Sequence, residues 1–267
     1  MSKTAFYTFQ QQVNRLYYAN EYVQAFALIE EKYADFPEQS AQIAYWRLCF
    51  HALLGKQKEA LQIFHETLDR GDWFGPSMLE QDLDLVELRP LAEFQEMLEV
   101  CRQRLVQAKD KAQPELHIVK PEAEVRPLPL LIALHGNQGN AYESLGEWRG
   151  VTAQGWLLSV PTSSQIDGPG CFIWNDREAG GREIYQHLTM LNGEHEVDSK
   201  RVVLGGFSMG GGLAVWVALT QAIPCCGFVV LAPYLTDEEL EKLPAILAQQ
   251  QPTGLRGYII VGQEDSV

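Results

Sequence analysis

The sequence predicts an all-α helical-repeat domain followed by an α/β domain built on a mostly parallel sheet. Three observations lead there. Residues 1–111 carry helical apolar spacing and no valine- or isoleucine-rich alternating run. Residues 112–267 alternate short apolar strands with helical stretches. A passage rich in Lys, Pro and Glu, from Lys109 to Pro129, marks the boundary. Strands alternating with helices imply a parallel sheet covered on both faces.

Within the helical half, two segments resemble each other 35 residues apart. Ala25 aligns with Ala60, Ile29 with Phe64, and Asn20 with Gly55 at the turn between paired helices. A small residue followed four positions on by a large apolar one suits the tight crossing of a helix hairpin. The period is close to the 34 residues of tetratricopeptide repeats, so the segment resembles two degenerate repeats of that kind, with Pro37 after the second helix. From about Leu91 a further helix is expected, its stripe of Leu91, Phe94, Leu98, Cys101 and Leu105 serving as core packing.

In the second half, His117–Val119 is the expected first strand, followed by Leu130–Leu134, Trp156–Val160, Val202–Gly205, Phe228–Leu231 and Tyr258–Val261. Arg182–Leu191 is an intervening helix, with Ile184, Leu188 and Leu191 on one face.

Bulk properties exclude several function classes. A formal net charge of −14 repels phosphates, which argues against general affinity for nucleic acid or anionic membrane. The longest apolar stretch, Cys225 to Leu235, falls far short of the ~18 residues needed to span a bilayer, and no apolar block opens the chain. A soluble, cytoplasmic protein is expected. The five cysteines have no paired ligand spacing and read as buried reduced thiols, with neither a zinc site nor a disulfide framework expected.

The chemistry centres on Gly206-Phe207-Ser208-Met209-Gly210. A strand ends directly before this G-x-S-x-G pentapeptide and a helix starts directly after it, the setting a nucleophile elbow demands. The serine must sit on a sharp strained turn, so Gly206 and Gly210 leave the room that side chains would fill. The strand Leu130–Leu134 leads into His135-Gly136-Asn137-Gln138-Gly139-Asn140. A tetrahedral intermediate needs two preorganised N–H donors, and the backbones of Asn137 and Met209 are the expected pair. His135, at the strand end, is read as a structural hydrogen-bonder rather than a base.

Leu134–Asn140, Pro161-Thr162-Ser163-Ser164-Gln165, Trp174-Asn175-Asp176 and Gly205–Gly211 together resemble the phospholipase/carboxylesterase family of α/β-hydrolases, which includes acyl-protein thioesterases. That resemblance covers roughly Pro114 to Val267. It implies an α/β-hydrolase fold and hydrolysis of small-molecule carboxylic esters or thioesters by a Ser–Asp–His triad, with no metal or organic cofactor. Phe172 and Trp174 are candidates for an apolar acyl wall, with ordinary loop packing as the alternative. Asp176 and Arg177 are read as a loop salt bridge of little energetic weight.

The Asp-x-Val pattern after the strand Gly257–Gly262 resembles the family's acid loop, which implies Asp265 as the triad acid; Glu264 is a poorer competitor. Asp237 is the fallback acid, more plainly read as an N-cap. All six histidines precede Ser208, so none fits the expected order of serine, acid, histidine. The expectation is a piece of a longer hydrolase, with little turnover by the chain as written.

The helical half is expected to recruit a protein partner, cover the active site or mediate self-association. Two other readings stay open: a peptidase on the same fold, and an inactive hydrolase fold that binds proteins through its repeats.

Overall fold

The computed structural model describes residues 3–122 and 126–263. The chain divides into two compact units, Met1–Ala108 and Lys109–Val267.

The first unit is helical: α1 (Lys3–Tyr18), α2 (Tyr22–Lys32), α3 (Ser40–Leu53), α4 (Gln57–Asp69), α5 (Pro76–Gln81) and α6 (Ala92–Lys109). The 35-residue correspondence has a geometric basis. Asn20 and Gly55 both take left-handed backbone, φ +57° and +70°, between α1 and α2 and between α3 and α4. That conformation ends a helix sharply and favours Gly or Asn. Ala25, Ala60, Ile29 and Phe64 are all completely buried, so each equivalent pair does the same packing job. Phe64 sits at the centre of one cluster, 5.5 Å from the Phe74 ring and 5.6 Å from that of Phe94. Of the expected stripe, Phe94, Leu98 and Cys101 are buried core and Met97 joins them, while Leu91, just before α6, and Leu105 are only partly buried. A second cluster gathers Phe9, Val13, Ile29, Phe36 and Phe50. Polar groups brace the unit too: Tyr45 Oη donates to Asp82 at 2.7 Å, and Tyr17 Oη to Asp84 at 2.9 Å.

The second unit has an α/β-hydrolase-like fold, a mostly parallel sheet flanked by helices. Its elements run β1 (Glu115–Val119), β2 (Leu128–Leu134), α7 (Ala141–Trp148), β3 (Leu157–Thr162), β4 (Ile166–Gly168), β5 (Cys171–Phe172), α8 (Arg177–His195), β6 (Val197–Phe207), α9 (Ser208–Leu219), β7 (Gly227–Leu231), α10 (Asp237–Gln250) and β8 (Arg256–Ile260). The sheet order is β1-β3-β2-β6-β7-β8, with β1 antiparallel to β3 and the other pairs parallel. The small β4–β5 hairpin was not anticipated, because strands of three and two residues are too short to carry an alternating pattern.

β2 is buried along its whole length, as a central parallel strand must be. Leu130, Ile132 and Leu134 pack with Ile184, Leu188 and Leu191 of α8 and Leu213 and Val217 of α9. Leu131 and Ala133 point to the other face, with Ala141 of α7 and Leu158 and Val160 of β3. Period-two alternation thus assigns one layer of helices to each face. At the far edge, β8 is exposed at every residue.

Replacing Phe64 by Ala in the full chain should cost about 3–5 kcal/mol, the usual penalty for an emptied aromatic core site. Urea unfolding followed by tryptophan fluorescence checks this; a loss below about 1 kcal/mol would show that the site collapses without a void.

Candidate active site

Strand register assembles the site. Leu134 of β2 lies opposite Gly206 of β6, so the loop beginning at His135 starts abreast of Phe207 and Ser208. Gly206 in turn pairs with Val230, and Leu231 with Ile260. The four strand ends form one rim at the carboxyl edge of the sheet, where open α/β sheets bind their ligands.

Ser208 occupies left-handed backbone, φ +50°, as the first residue of α9. For a residue bearing a Cβ this is a strained conformation, of order 1–3 kcal/mol, and it persists only where the surroundings impose it. They do. A Cβ on Gly206 would lie 2.6 Å from the carbonyl of Gly210, and one on Gly210 would collide with the His135 carbonyl. Strand end, turn and first helical turn are therefore in direct backbone contact. Ser208 is half-buried, and no side chain among the described residues hydrogen-bonds its Oγ.

The neighbouring loop is also fixed. Gln138 takes φ +54°, Gly139 N–H donates to Gly136 O at 3.2 Å, and Phe172 N–H donates to Gly139 O at 3.1 Å. Asn140 caps α7, its Oδ1 accepting from the Tyr142 and Glu143 amides. Asn137 is exposed at the tip and its backbone N–H finds no acceptor among the described residues. Met209, in the first turn of α9, belongs to the positions whose N–H groups have no intrahelical acceptor.

His135 is completely buried. Its Nε2 accepts from the Ser163 amide at 3.3 Å, so Nδ1 carries the proton and donates to Gly136 O at 2.8 Å. Burial pushes its pKa down to about 4. A neutral ring with both nitrogens occupied is a structural hydrogen-bonder, in line with the sequence reading.

The Trp174 ring is wholly buried, which fits ordinary loop packing, the alternative to an acyl wall. It stacks on His135 with centroids 4.8 Å apart, its Nε1 donates to the His135 carbonyl at 3.1 Å, and its backbone N–H meets Met209 Sδ at 3.2 Å. The indole is a strut between the two halves of the site. Phe172 remains partly exposed at the Gly139 end of the loop. Phe207, which was not singled out, is 45% exposed with its ring against Gly136. Its signal was the unconstrained position of the pentapeptide.

The Asp176–Arg177 ion pair is replaced by other contacts. Asp176 caps α8 by accepting from the Ala179 amide at 2.8 Å, while Arg177 pairs with Glu239 at 2.7 Å and is only 9% exposed. The cap of α10 is Thr236 rather than Asp237; Thr236 and Glu239 form a reciprocal capping box, and Asp237 is exposed in the first turn. Asp265 and Glu264 lie outside the described residues.

Several family-like residues are brackets. Gln165 holds the Asp176 backbone at both its C=O, at 3.0 Å, and its N–H, at 2.8 Å. Ser164 contacts Glu183 of α8 through its hydroxyl and its amide. Thr162 Oγ1 accepts from the Ala141 amide. Of the cysteines, Cys49 and Cys101 are buried, but Cys171, Cys225 and Cys226 are only partly so; all five are free thiols.

Residues 6–109 match the family described as A/B hydrolase-like, N-terminal domain. A curated relative, a bifunctional acetylxylan esterase/xylanase of Neocallimastix patriciarum, is 29% identical over 124 residues, 42% of this chain and 18% of its own length. The match therefore spans less than a fifth of that relative. Among solved structures, an uncharacterized protein of Bacillus cereus is 28% identical with a TM-score of 0.47, covering 99% of this chain and 83% of its own. The Bacillus cereus carboxylesterase is 15% identical with a TM-score of 0.43, covering 60% and 90%. No helix among the described residues is long and apolar enough to cross a membrane.

Because the folded pKa of His135 lies below the ordinary value of 6.5, its contribution to stability is full above about pH 6.5 and is lost as pH falls toward 4. The loss should be on the order of 3 kcal/mol. Urea unfolding at several pH values should show a steeper acid decline for the wild type than for His135→Gln; parallel curves would overturn the assignment.

Proposed function

We propose that the chain is a cytoplasmic serine hydrolase that cleaves small carboxylic esters or thioesters through an acyl-enzyme. The observation that carries this is the left-handed Ser208, set on a turn whose flanking glycines admit no side chain, its hydroxyl bonded to no side chain among the described residues. Strain of this kind at a half-exposed hydroxyl has a use if the hydroxyl reacts.

In this reading Ser208 Oγ attacks the acyl carbon. The carbonyl π electrons move to oxygen, and the Asn137 and Met209 amides receive the negative charge. The positive end of α9 lies behind the same point. Collapse of the tetrahedral intermediate expels the alcohol or thiol, and water then releases the acid. Phe172 and Phe207, at the two ends of the 136–139 loop, form the apolar side of the acyl site. No metal or organic cofactor enters. Asp265 is the proposed acid that would orient a histidine base. His135, with both ring nitrogens hydrogen-bonded, is not that base. The likeness to part of an acetylxylan esterase supports ester over amide chemistry and makes short acyl groups the first substrates to try. For the helical unit we propose tetratricopeptide-like hairpins that recruit a protein partner or a second copy.

A fluorophosphonate probe should label the wild-type chain at Ser208, read by peptide mass spectrometry, and leave Ser208→Ala unlabelled. Turnover of p-nitrophenyl butyrate by the wild-type chain should be lost in Ser208→Ala, since the acyl-enzyme route needs that hydroxyl. An unlabelled Ser208 overturns the serine reading; hydrolysis of a peptide amide faster than of the ester overturns the substrate class.

A further inference from the structure

Arg177 carries more polar contacts than a helix-opening residue needs. Its Nε and Nη2 donate to Glu239 at 2.7 and 3.3 Å; Nη1 donates to the Met209 carbonyl at 2.8 Å; Nη2 also reaches the Tyr234 carbonyl at 3.0 Å. Glu239 alone would satisfy the charge. The two carbonyls lie on the segments flanking Ser208: the first turn of α9 and the loop after β7.

The backbone explains what those contacts govern. Tyr234 N–H donates to the Ser208 carbonyl at 2.9 Å. Ser208 C=O and Met209 N–H belong to one planar trans peptide, so they point in opposite directions and cannot rotate separately. Fixing where the Ser208 oxygen points therefore fixes where the Met209 N–H points. Arg177 then holds the far side of each participant, through Tyr234 O and through Met209 O in the next peptide unit. Glu239 keeps the guanidinium in place and is itself tied into the Thr236 capping box at 2.8 and 3.2 Å.

We infer that Arg177 is a positioning residue: by bridging Met209 O, Tyr234 O and Glu239 it aims the Met209 amide at the oxygen of the reacting acyl group. The inference rests on the reading of Ser208 as nucleophile. Arg177 reaches its acceptors from three nitrogens of a rigid planar fork, whereas a lysine offers only rotatable donors on a single nitrogen.

The test is the kinetics of fluorophosphonate labelling in the full chain. In that reaction the Ser208 oxygen bonds to phosphorus, the P–F bond breaks, fluoride leaves and the hydroxyl proton goes to solvent. The phosphoryl oxygen, like the acyl oxygen, needs the Met209 N–H. Arg177→Met should lower the limiting labelling rate by about 10- to 100-fold, the cost of a misaimed group on the scale of an ångström, with the probe's apparent affinity within about twofold of wild type. The double variant Arg177→Met/Glu239→Met, which leaves no orphan charge, should behave the same way. Arg177→Lys should not restore the rate. Leu191→Ala, a core cavity near the other end of α8, controls for stability: it should lower Tm yet keep the wild-type limiting rate.

Amide hydrogen exchange supplies an arm independent of reactivity. The Tyr234 amide should exchange at least about tenfold faster in Arg177→Met than in wild type or Leu191→Ala, since its acceptor is no longer held. A wild-type limiting rate in Arg177→Met, or a loss of rate in Leu191→Ala that tracks Tm equally, overturns the inference. If wild-type Ser208 takes no probe, the serine reading falls, and unchanged Tyr234 exchange in Arg177→Met then overturns the positioning role as well.

Discussion

Backbone meets backbone at the end of β6 with no room for a methyl group, and the candidate-site end of the second unit depends on that contact. Gly206 abuts Gly210, and Gly210 abuts the carbonyl of His135. The chain can pass from strand to helix there only by a sharp turn, which forces Ser208 into left-handed backbone. Register does the rest. With Leu134 opposite Gly206, the loop after β2 has to begin beside the serine. The rim of the sheet is thus built by local sterics and by hydrogen-bond ladders, before any polar side chain takes part.

The polar side chains then hold what the ladders place. Trp174 links the His135 carbonyl to the Met209 side chain; Gln165 grips Asp176; Arg177 links the first turn of α9 to the loop after β7. Trp174, His135 and Arg177 are buried and each has a specific partner, since an unpaired polar atom there would cost on the order of 1–3 kcal/mol. A site assembled from loops gains rigidity in this way without covalent ties.

Much of this was legible in the sequence. Strand positions came from short apolar runs, and the elbow came from the strand, pentapeptide and helix read together. The role of His135 followed from its place at a strand end. What escaped were matters of distance. Arg177 has its ion partner 62 residues away, and no local pattern announces Glu239 as that partner. Trp174 stands in a loop, where an aromatic ring reads as a pocket wall; its burial depends on β2, β6 and α8 converging. Thr236 and Asp237 both suit a cap, and only the amide of Glu239 chooses between them. In the helical unit, Asn20 and Gly55 mark equivalent turns because both tolerate positive φ, a property visible in residue type alone.

His135 has a bearing on how any rate profile of this protein should be interpreted. An imidazole at the strand end next to the Ser208 turn is the first group to which an acidic inflection near pH 6.5 would be assigned. Here that ring is already uncharged throughout the neutral range, and it stays so until conditions approach pH 4. An inflection one or two units above that belongs to an ionisation other than that of His135.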